Sequence, residues 1–204
     1  MFLIRHAETS TPDVFHGAES DVGLSPWGER QARLLADHLA TSGAEAVYCS
    51  GMRRAIATAT PIAEALGLAP IVVPELHERR IGSLSGRGRE EGWGVYEASK
   101  RAWIAGDLEF THPGGESYAA IGRRVLPIFD DLRERHPGGR FVVVAHGIVI
   151  RVALLGLLAD HTPADFDRIA IDFASINELA RVQDGWKAEA LNVVVAPSPA
   201  RPVA

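Results

Sequence analysis

Four short stretches of the chain place ionisable side chains where apolar runs stop or turn. FLIRHAET (2–9) ends on Arg5 and His6, and FVVVAHG (141–147) ends on His146 and Gly147. YCSGMRRAIATA (48–59) passes through Arg53 and Arg54, and ELHERRIG (75–82) sets Glu78 among basic neighbours. Singly each is weak, because an Arg-His pair at a strand end commonly marks only where the strand meets water. Together, two histidines, several arginines and one carboxylate are the parts that phosphate chemistry requires. Guanidinium forks match phosphate oxygens and keep their charge at any working pH. A neutral imidazole can attack phosphorus to form a covalent intermediate, and a carboxylic acid can protonate the leaving oxygen. Backbone N–H groups at a helix start, such as one opening at Gly147, add to the stabilisation of developing charge. Neighbouring arginines disfavour imidazolium and so keep His6 neutral.

These side chains need a rigid mount. MFLI (1–4) and FVVVA (141–145) are short, unbroken and rich in branched residues, which suits strands covered on both faces. AVYC (46–49) and IVV (71–73) read as two more strands. Ser25-Pro26 is a helix start, with Trp27, Leu34, Leu35, His38 and Leu39 following as an apolar stripe up to Gly43. A second helix is predicted from about 51 to 66, kinked or restarted at Pro61 and stopped before Gly67. Others are predicted over about 116–135 and from Ile148 onward. IAIDF (169–173), NELARV (177–182) and 186–195 read as edge strands, the last two joined by a turn at Asp184-Gly185, before a Pro/Ala-rich irregular tail. Alternating strands and helices predict an α/β fold: a three-layer α/β/α sandwich around a mostly parallel sheet. In such sheets ligands bind beyond the carboxyl ends of the strands, where three of the four stretches present their ionisable groups. The segment from about 77 to 115, rich in Gly and Arg and carrying Trp93, Tyr96 and Trp103, reads as a lid inserted into one domain spanning 1–204.

In this order the motifs resemble the histidine phosphatase superfamily, which includes the cofactor-dependent phosphoglycerate mutases. RHAET matches that family's Arg-His-Gly-Glu-Thr, HGAESDVGLS (16–25) its Gly, Asp and Leu-Ser, and SGMRRAIATA (50–59) its Ser-x-x-x-Arg-Ala segment. LHERRIGSLSG (76–86), HPGGES (112–117), VVVAHG (142–147), Ser175-Ile176-Asn177 and Leu191-Asn192 follow in the family's order. The resemblance implies that His6 is the phosphorylated nucleophile and Glu78 the acid and then the base. It also implies that Arg5, Arg54 (rather than Arg53), His146 and Gly147 hold the phosphate. Thr9, His16, Gly17 and Arg89 are further candidates for phosphate or substrate contact. Neither a metal nor a cofactor is expected.

Three departures from the family pattern stand out. Ala7 replaces a glycine, Pro12-Asp13 stand where mutases carry a phosphate-contacting Asn, and WIAGD (103–107) lacks the mutases' arginine pair after the lid tryptophan. The last favours a phosphatase over a mutase. A phospho-ligand binder without turnover is a third reading, opposed by the retention of both a nucleophile and a proton donor.

Composition sets the remaining bounds. The 204 residues are 47% hydrophobic and 23% charged, with a formal net charge of −5. This is the balance of a globular chain and not of a general nucleic-acid or anionic-membrane binder. Cys49 is the single cysteine, which excludes an intrachain disulfide and a cysteine-based zinc site and suits a buried apolar filler. His38 is expected to be packed or half-buried on its helix, and His77, His112, His136 and His161 to lie in loops or at the surface, with His112 the main candidate for an exception. The expected setting is cytoplasmic, with a small phosphorylated substrate, no nucleic acid or membrane partner, and a monomer or homodimer.

Overall fold

The computed structural model describes residues 1–183 and 185–195. A six-stranded sheet runs through it in the order β3-β2-β4-β1-β5-β6. Strands β1 (Phe2–Arg5), β2 (Ala44–Cys49), β3 (Pro70–Val72) and β4 (Arg140–Ala145) are parallel to one another, while β5 (Ser175–Val182) pairs antiparallel with β1 and with β6 (Gly185–Val194). Helices α1 (Pro26–Leu39), α2 (Arg53–Ala65), α3 (Arg89–Ile104), α4 (Tyr118–Arg135) and α5 (Gly147–Leu157) complete the α/β arrangement.

The apolar runs are unbroken because both faces of the central strands are covered. Phe2, Ile4, Val142 and Val144 pack with Leu35, Ala59 and Ile62 of α1 and α2. Leu3, Phe141 and Val143 point the other way, against Ile121 and Phe129 of α4 and Ile150 and Leu154 of α5. The period-two alternation of a strand thus distributes one apolar run between two layers of helices.

Helix α1 starts as Ser25-Pro26 implies. The Ser25 hydroxyl accepts from Gly28 N at 2.9 Å and donates to Glu8 Oε1 at 2.8 Å, so the cap also ties α1 to the loop after β1. Gly28 is required there, since a Cβ would come within 2.1 Å of the Glu8 carbonyl oxygen. Helix α2 runs through Pro61 as one element and ends before Gly67, whose φ of +69° suits a glycine.

Several expectations are corrected. IAIDF is not a strand: residues 163–168 form a 3-10 turn and the chain then runs irregularly to Ala174, at φ +56°. Its backbone groups are taken by side chains from elsewhere, as Ile169 O accepts from Arg151, Ile171 O from Arg5, and Asp172 N donates to Asn192 Oδ1. Ladder partners were therefore not needed. His38 is exposed, whereas His112 is buried, with Nε2–H donating to the Ile81 carbonyl at 2.9 Å. His136 is half-buried between Tyr48 OH and Glu45. Trp103 is fully buried in the core beside Tyr118 and Phe166, apart from Trp93 and Tyr96. Asp184 of the expected turn and the tail 196–204 lie outside the described residues. Cys49 is buried, and burial pushes its thiol up to about 11.

Replacing Ser25 by alanine removes a cap and a buried carboxylate partner together. The expected loss is about 2 kcal/mol, read as a lowered urea midpoint with an unchanged slope.

Candidate active site

The pairing of β1 with β4 brings the two histidines together. Arg5 lies opposite Ala145, His6 N donates to Ala145 O at 2.9 Å, and the His6 and His146 rings sit 5.1 Å apart. Strand β2 ends at the same level, where Ser50 N donates to Val144 O and the Ser50 hydroxyl meets His146 Nε2 at 2.8 Å. Beyond this edge opens a cavity of about 230 Å³.

The floor of the cavity holds His6, Arg5, Glu78 and Gly147. His6 Nδ1 lies 2.8 Å from the Ala7 carbonyl oxygen, which can only accept, so Nδ1 carries the proton and Nε2 the lone pair. Burial, reinforced by the Arg54 and Arg5 charges, holds the His6 imidazole well below the ordinary histidine range. His146 is depressed for the same reasons, with His6 as a further repelling neighbour. Arg5 donates to Ile171 O at 2.7 Å and stacks over the Phe173 ring at 3.9 Å, and burial lowers its guanidinium to about 10. Gly147 opens α5 directly beneath Arg5. A Cβ there would lie 3.4 Å from Arg5 Nε, an ordinary van der Waals contact that by itself does not require a glycine.

Glu78 reaches the floor from the segment after β3. Its carboxylate accepts from Arg79 N at 2.8 Å and Ile148 N at 3.4 Å. Two carboxylates hold that segment in place. Glu19 accepts from the N–H groups of Ile81 and Gly82, and Glu116 pairs with Arg124, which donates to the Glu75 and Glu78 carbonyls.

The other anticipated residues divide. Thr9, His16 and Arg89 line the cavity. His16 is held by the Thr11 carbonyl and the Ser20 hydroxyl, and Arg89 Nε by the Pro12 carbonyl at 3.2 Å. Arg54, His146 and Gly17 are not among the lining residues. Arg54 is buried, donating to Ser20 O and facing Gly17 O at 3.5 Å, and its charge depresses both imidazoles. Gly17 is packed tightly against Ile81 and the Arg79 carbonyl and so supplies support from behind. Ala7 turns its methyl into the α1–α2 layer, and its N–H donates to Thr58 Oγ1 at 3.0 Å, so the glycine-to-alanine departure does not narrow the cavity. Pro12-Asp13 form part of a strap to the 86–89 segment, with Arg89 N donating to Asp13 O and Phe15 N to Arg87 O.

Lining residues that were not anticipated include Arg79, Arg151, Ile148, Ile171, Phe173 and Phe15. Ile148 follows Gly147, and Arg151 lies one turn further along α5. That i+4 spacing is the one signal the sequence offers for Arg151. Trp93, Tyr96 and Phe15 form an aromatic cluster at the opposite wall.

The family model of the histidine phosphatase superfamily (branch 1) matches residues 1–194. The chain belongs to this superfamily. It is 33% identical over 159 residues to phosphoserine phosphatase 1 of Hydrogenobacter thermophilus, covering 78% of this chain and 75% of that one. It is 31% identical over 190 residues to "Probable phosphoglycerate mutase GpmB" of Yersinia enterocolitica, covering 92% and 87%. Among solved structures, a mycobacterial glucosyl-3-phosphoglycerate phosphatase complexed with VO3 superposes with a TM-score of 0.83 at 26% identity, over 94% of this chain and 98% of that one. The histidine phosphatase fold therefore accounts for the sheet and the helices on both its faces. No helix among the described residues is long and apolar enough to cross a membrane.

The two depressed histidines set a pH dependence of stability. Both rings stay neutral in the folded chain below 6.5, where the unfolded chain takes up protons, so their contribution is complete above 6.5 and is lost as pH falls below it. Each adds a slope of up to about 1.4 kcal/mol per pH unit. Urea unfolding between pH 7 and 5 in a phosphate-free buffer is expected to show a flatter profile in His146→Asn than in the wild type.

Proposed function

We propose that the chain is a metal-independent phosphomonoester hydrolase working through a phosphohistidine on His6. The observation that carries this reading is the fixed tautomer of His6. A carbonyl holds Nδ1–H, burial and arginines keep the ring neutral, and the nucleophilic Nε2 is left at a cavity floor shared with a carboxylate. The names of the phosphatase relatives support the reaction class.

In the first half-reaction His6 Nε2 attacks phosphorus, a P–N bond forms, and the ester P–O bond breaks. Glu78 gives its proton to the leaving oxygen. In the second half, Glu78 takes a proton from water, whose oxygen displaces the imidazole and frees inorganic phosphate. Arg5, Arg54, His146 and the N–H groups at the start of α5 would balance the charge on the equatorial oxygens. Thr9, His16 and Gly17 would complete or support that cradle, and residues 77–115, which supply Glu78, Arg89, Trp93 and Tyr96, would act as the lid over the cavity.

A mutase is the second reading, favoured by the name of the Yersinia relative. Incubation with 3-phosphoglycerate separates the two: a hydrolase releases phosphate, and a mutase yields the 2-phospho isomer.

His6→Ala is expected to abolish both hydrolysis of p-nitrophenyl phosphate and acid-labile labelling of the protein, while a chelator leaves the wild type unchanged. Wild-type rates in that variant would overturn the mechanism. Glu78→Gln is expected to lower kcat by about 10²–10⁴ with an ester of a poor leaving group, and much less with p-nitrophenyl phosphate, whose leaving oxygen needs no proton.

A further inference from the structure

The two neighbouring imidazoles, 5.1 Å apart, are held by partners of different kinds. His6 Nδ1 meets a carbonyl oxygen, which leaves the lone pair of Nε2 free. His146 Nε2 meets the Ser50 hydroxyl at 2.8 Å, and a hydroxyl can either donate or accept. The surroundings of Ser50 decide between the two. Its Oγ accepts from Met52 N at 3.3 Å, and among the described residues it has no partner besides Met52 N and His146 Nε2. If Nε2 carried the proton, Ser50 Oγ would face two donors, and its own O–H, fully buried, would lack an acceptor. If the hydroxyl donates instead, Met52 N–H, Ser50 O–H and His146 Nε2 are all satisfied in one chain. The imidazole proton then sits on Nδ1.

That Nδ1–H is itself an orphan. It is buried without a protein partner among the described residues, and the side chain does not cap α5, at whose N-terminus it stands. A buried N–H with no acceptor is costly to keep. Arg5 Nε and Arg54 Nε are buried and unpartnered as well, and the charges of both guanidiniums act on both imidazoles. Unused donors gathered in this way are completed by an anionic oxygen.

We propose that Ser50 is a positioning residue, which by donating to His146 Nε2 fixes the Nδ1–H tautomer and so reserves that N–H for a phosphate oxygen. The pair of histidines is thereby divided by its neighbours into one lone pair, on His6, and one donor, on His146. The use of the donor rests on the hydrolase reading above, whereas the tautomer is a property of the resting protein.

The test reads the tautomer by proton–nitrogen correlation NMR on protein isotope-labelled at the histidine ring nitrogens, where the His146 signals are those missing from His146→Asn. The wild type near neutral pH is expected to show a protonated Nδ1 and a bare Nε2 on His146, and inorganic phosphate is expected to shift the Nδ1 resonance. In Ser50→Ala the pattern is expected to give way to Nε2–H. Affinity for orthovanadate and kcat/KM for p-nitrophenyl phosphate are then expected to fall about 10- to 100-fold, the scale of a hydrogen bond to a charged group. In a His146→Asn background the same Ser50→Ala change is expected to cost no further orthovanadate affinity, because Ser50 acts through the ring; a residue that only packs would cost the same in both backgrounds. Nε2–H in the wild type would overturn the proposal without any variant having to fold. A phosphate-insensitive Nδ1 resonance, or equal losses in the two backgrounds, would overturn it too. None of these results touches the hydrolase reading, which stands on ester cleavage through His6. A wild type that shows the phosphate-induced shift yet cleaves no ester would overturn that reading and leave the assignment of Ser50 intact.

Discussion

The site depends on the register of three parallel strands. Arg5 is paired with Ala145 and Cys49 with Val144, so His6, Ser50 and His146 leave the sheet at one level. Side chains alternate faces along a strand, and a slip of one residue would turn Ile4 and Val144 out of their layer and His6 away from His146. Burial on both faces makes such a slip costly. Leu3 and Val143 belong to one helical layer, and Ile4, Val142 and Val144 to the other. The apolar runs that look like packing alone therefore determine where the chemistry stands.

Burial then decides the protonation of what stands there. A histidine in water is half-charged near pH 6.5, and an imidazolium is not a nucleophile. Removing the His6 ring from water and surrounding it with guanidiniums achieves neutrality without a general base. The same environment strains the cations, since burial lowers Arg5 and Arg79 to about 10. Burial is the cause, since the strongest neighbouring charges, Glu78 at Arg5 and Tyr96 and Glu78 at Arg79, pull the other way, so the site gathers an excess of positive charge out of water. That imbalance is local, since the chain as a whole carries a formal net charge of −5. It is the arrangement expected of a pocket that attracts and neutralises anions.

What was legible in the sequence was whatever has a local physical signature. The strands show as branched apolar runs, α1 as Ser-Pro before a stripe, and the floor of the site as ionisable residues at run ends. The resemblance to a family then assigned Arg54 in place of Arg53; Arg54 is buried with its guanidinium on the Ser20 carbonyl, whereas Arg53 is exposed. Two kinds of feature were not legible. Ile171 and Phe173 look like a strand because alternation cannot reveal that Arg5 and Arg151 will occupy the carbonyls of that segment. Arg151 sits in an apolar helix, where one charged residue has the local look of a surface position. Its place at the cavity follows from the packing of α5 against the sheet, of which the i+4 spacing from Gly147 is the one local trace. His112 lies in a loop as read, but its burial was not legible for a related reason: its partner Ile81 lies 31 residues away.

Those long-range arginine contacts show why the irregular parts of the site can be ordered at all. The 169–174 segment lacks a ladder, and the segment after Glu78 is a run of turns, yet both border the reacting centre. An irregular backbone keeps a fixed shape only if its polar groups find fixed partners. Here the partners are charged side chains: Arg5 and Arg151 for Ile171 and Ile169, Arg124 for Glu75 and Glu78, and Glu19 for Ile81 and Gly82. Arg5 serves twice, fixing the Ile171–Phe173 wall with one edge of its guanidinium while its charge faces the floor. Arg151 does the same with Nε on Ile169. On the proposed function, anion binding and loop order would be coupled through the same guanidiniums: an anion that draws charge toward the cavity would act directly on the groups holding its walls.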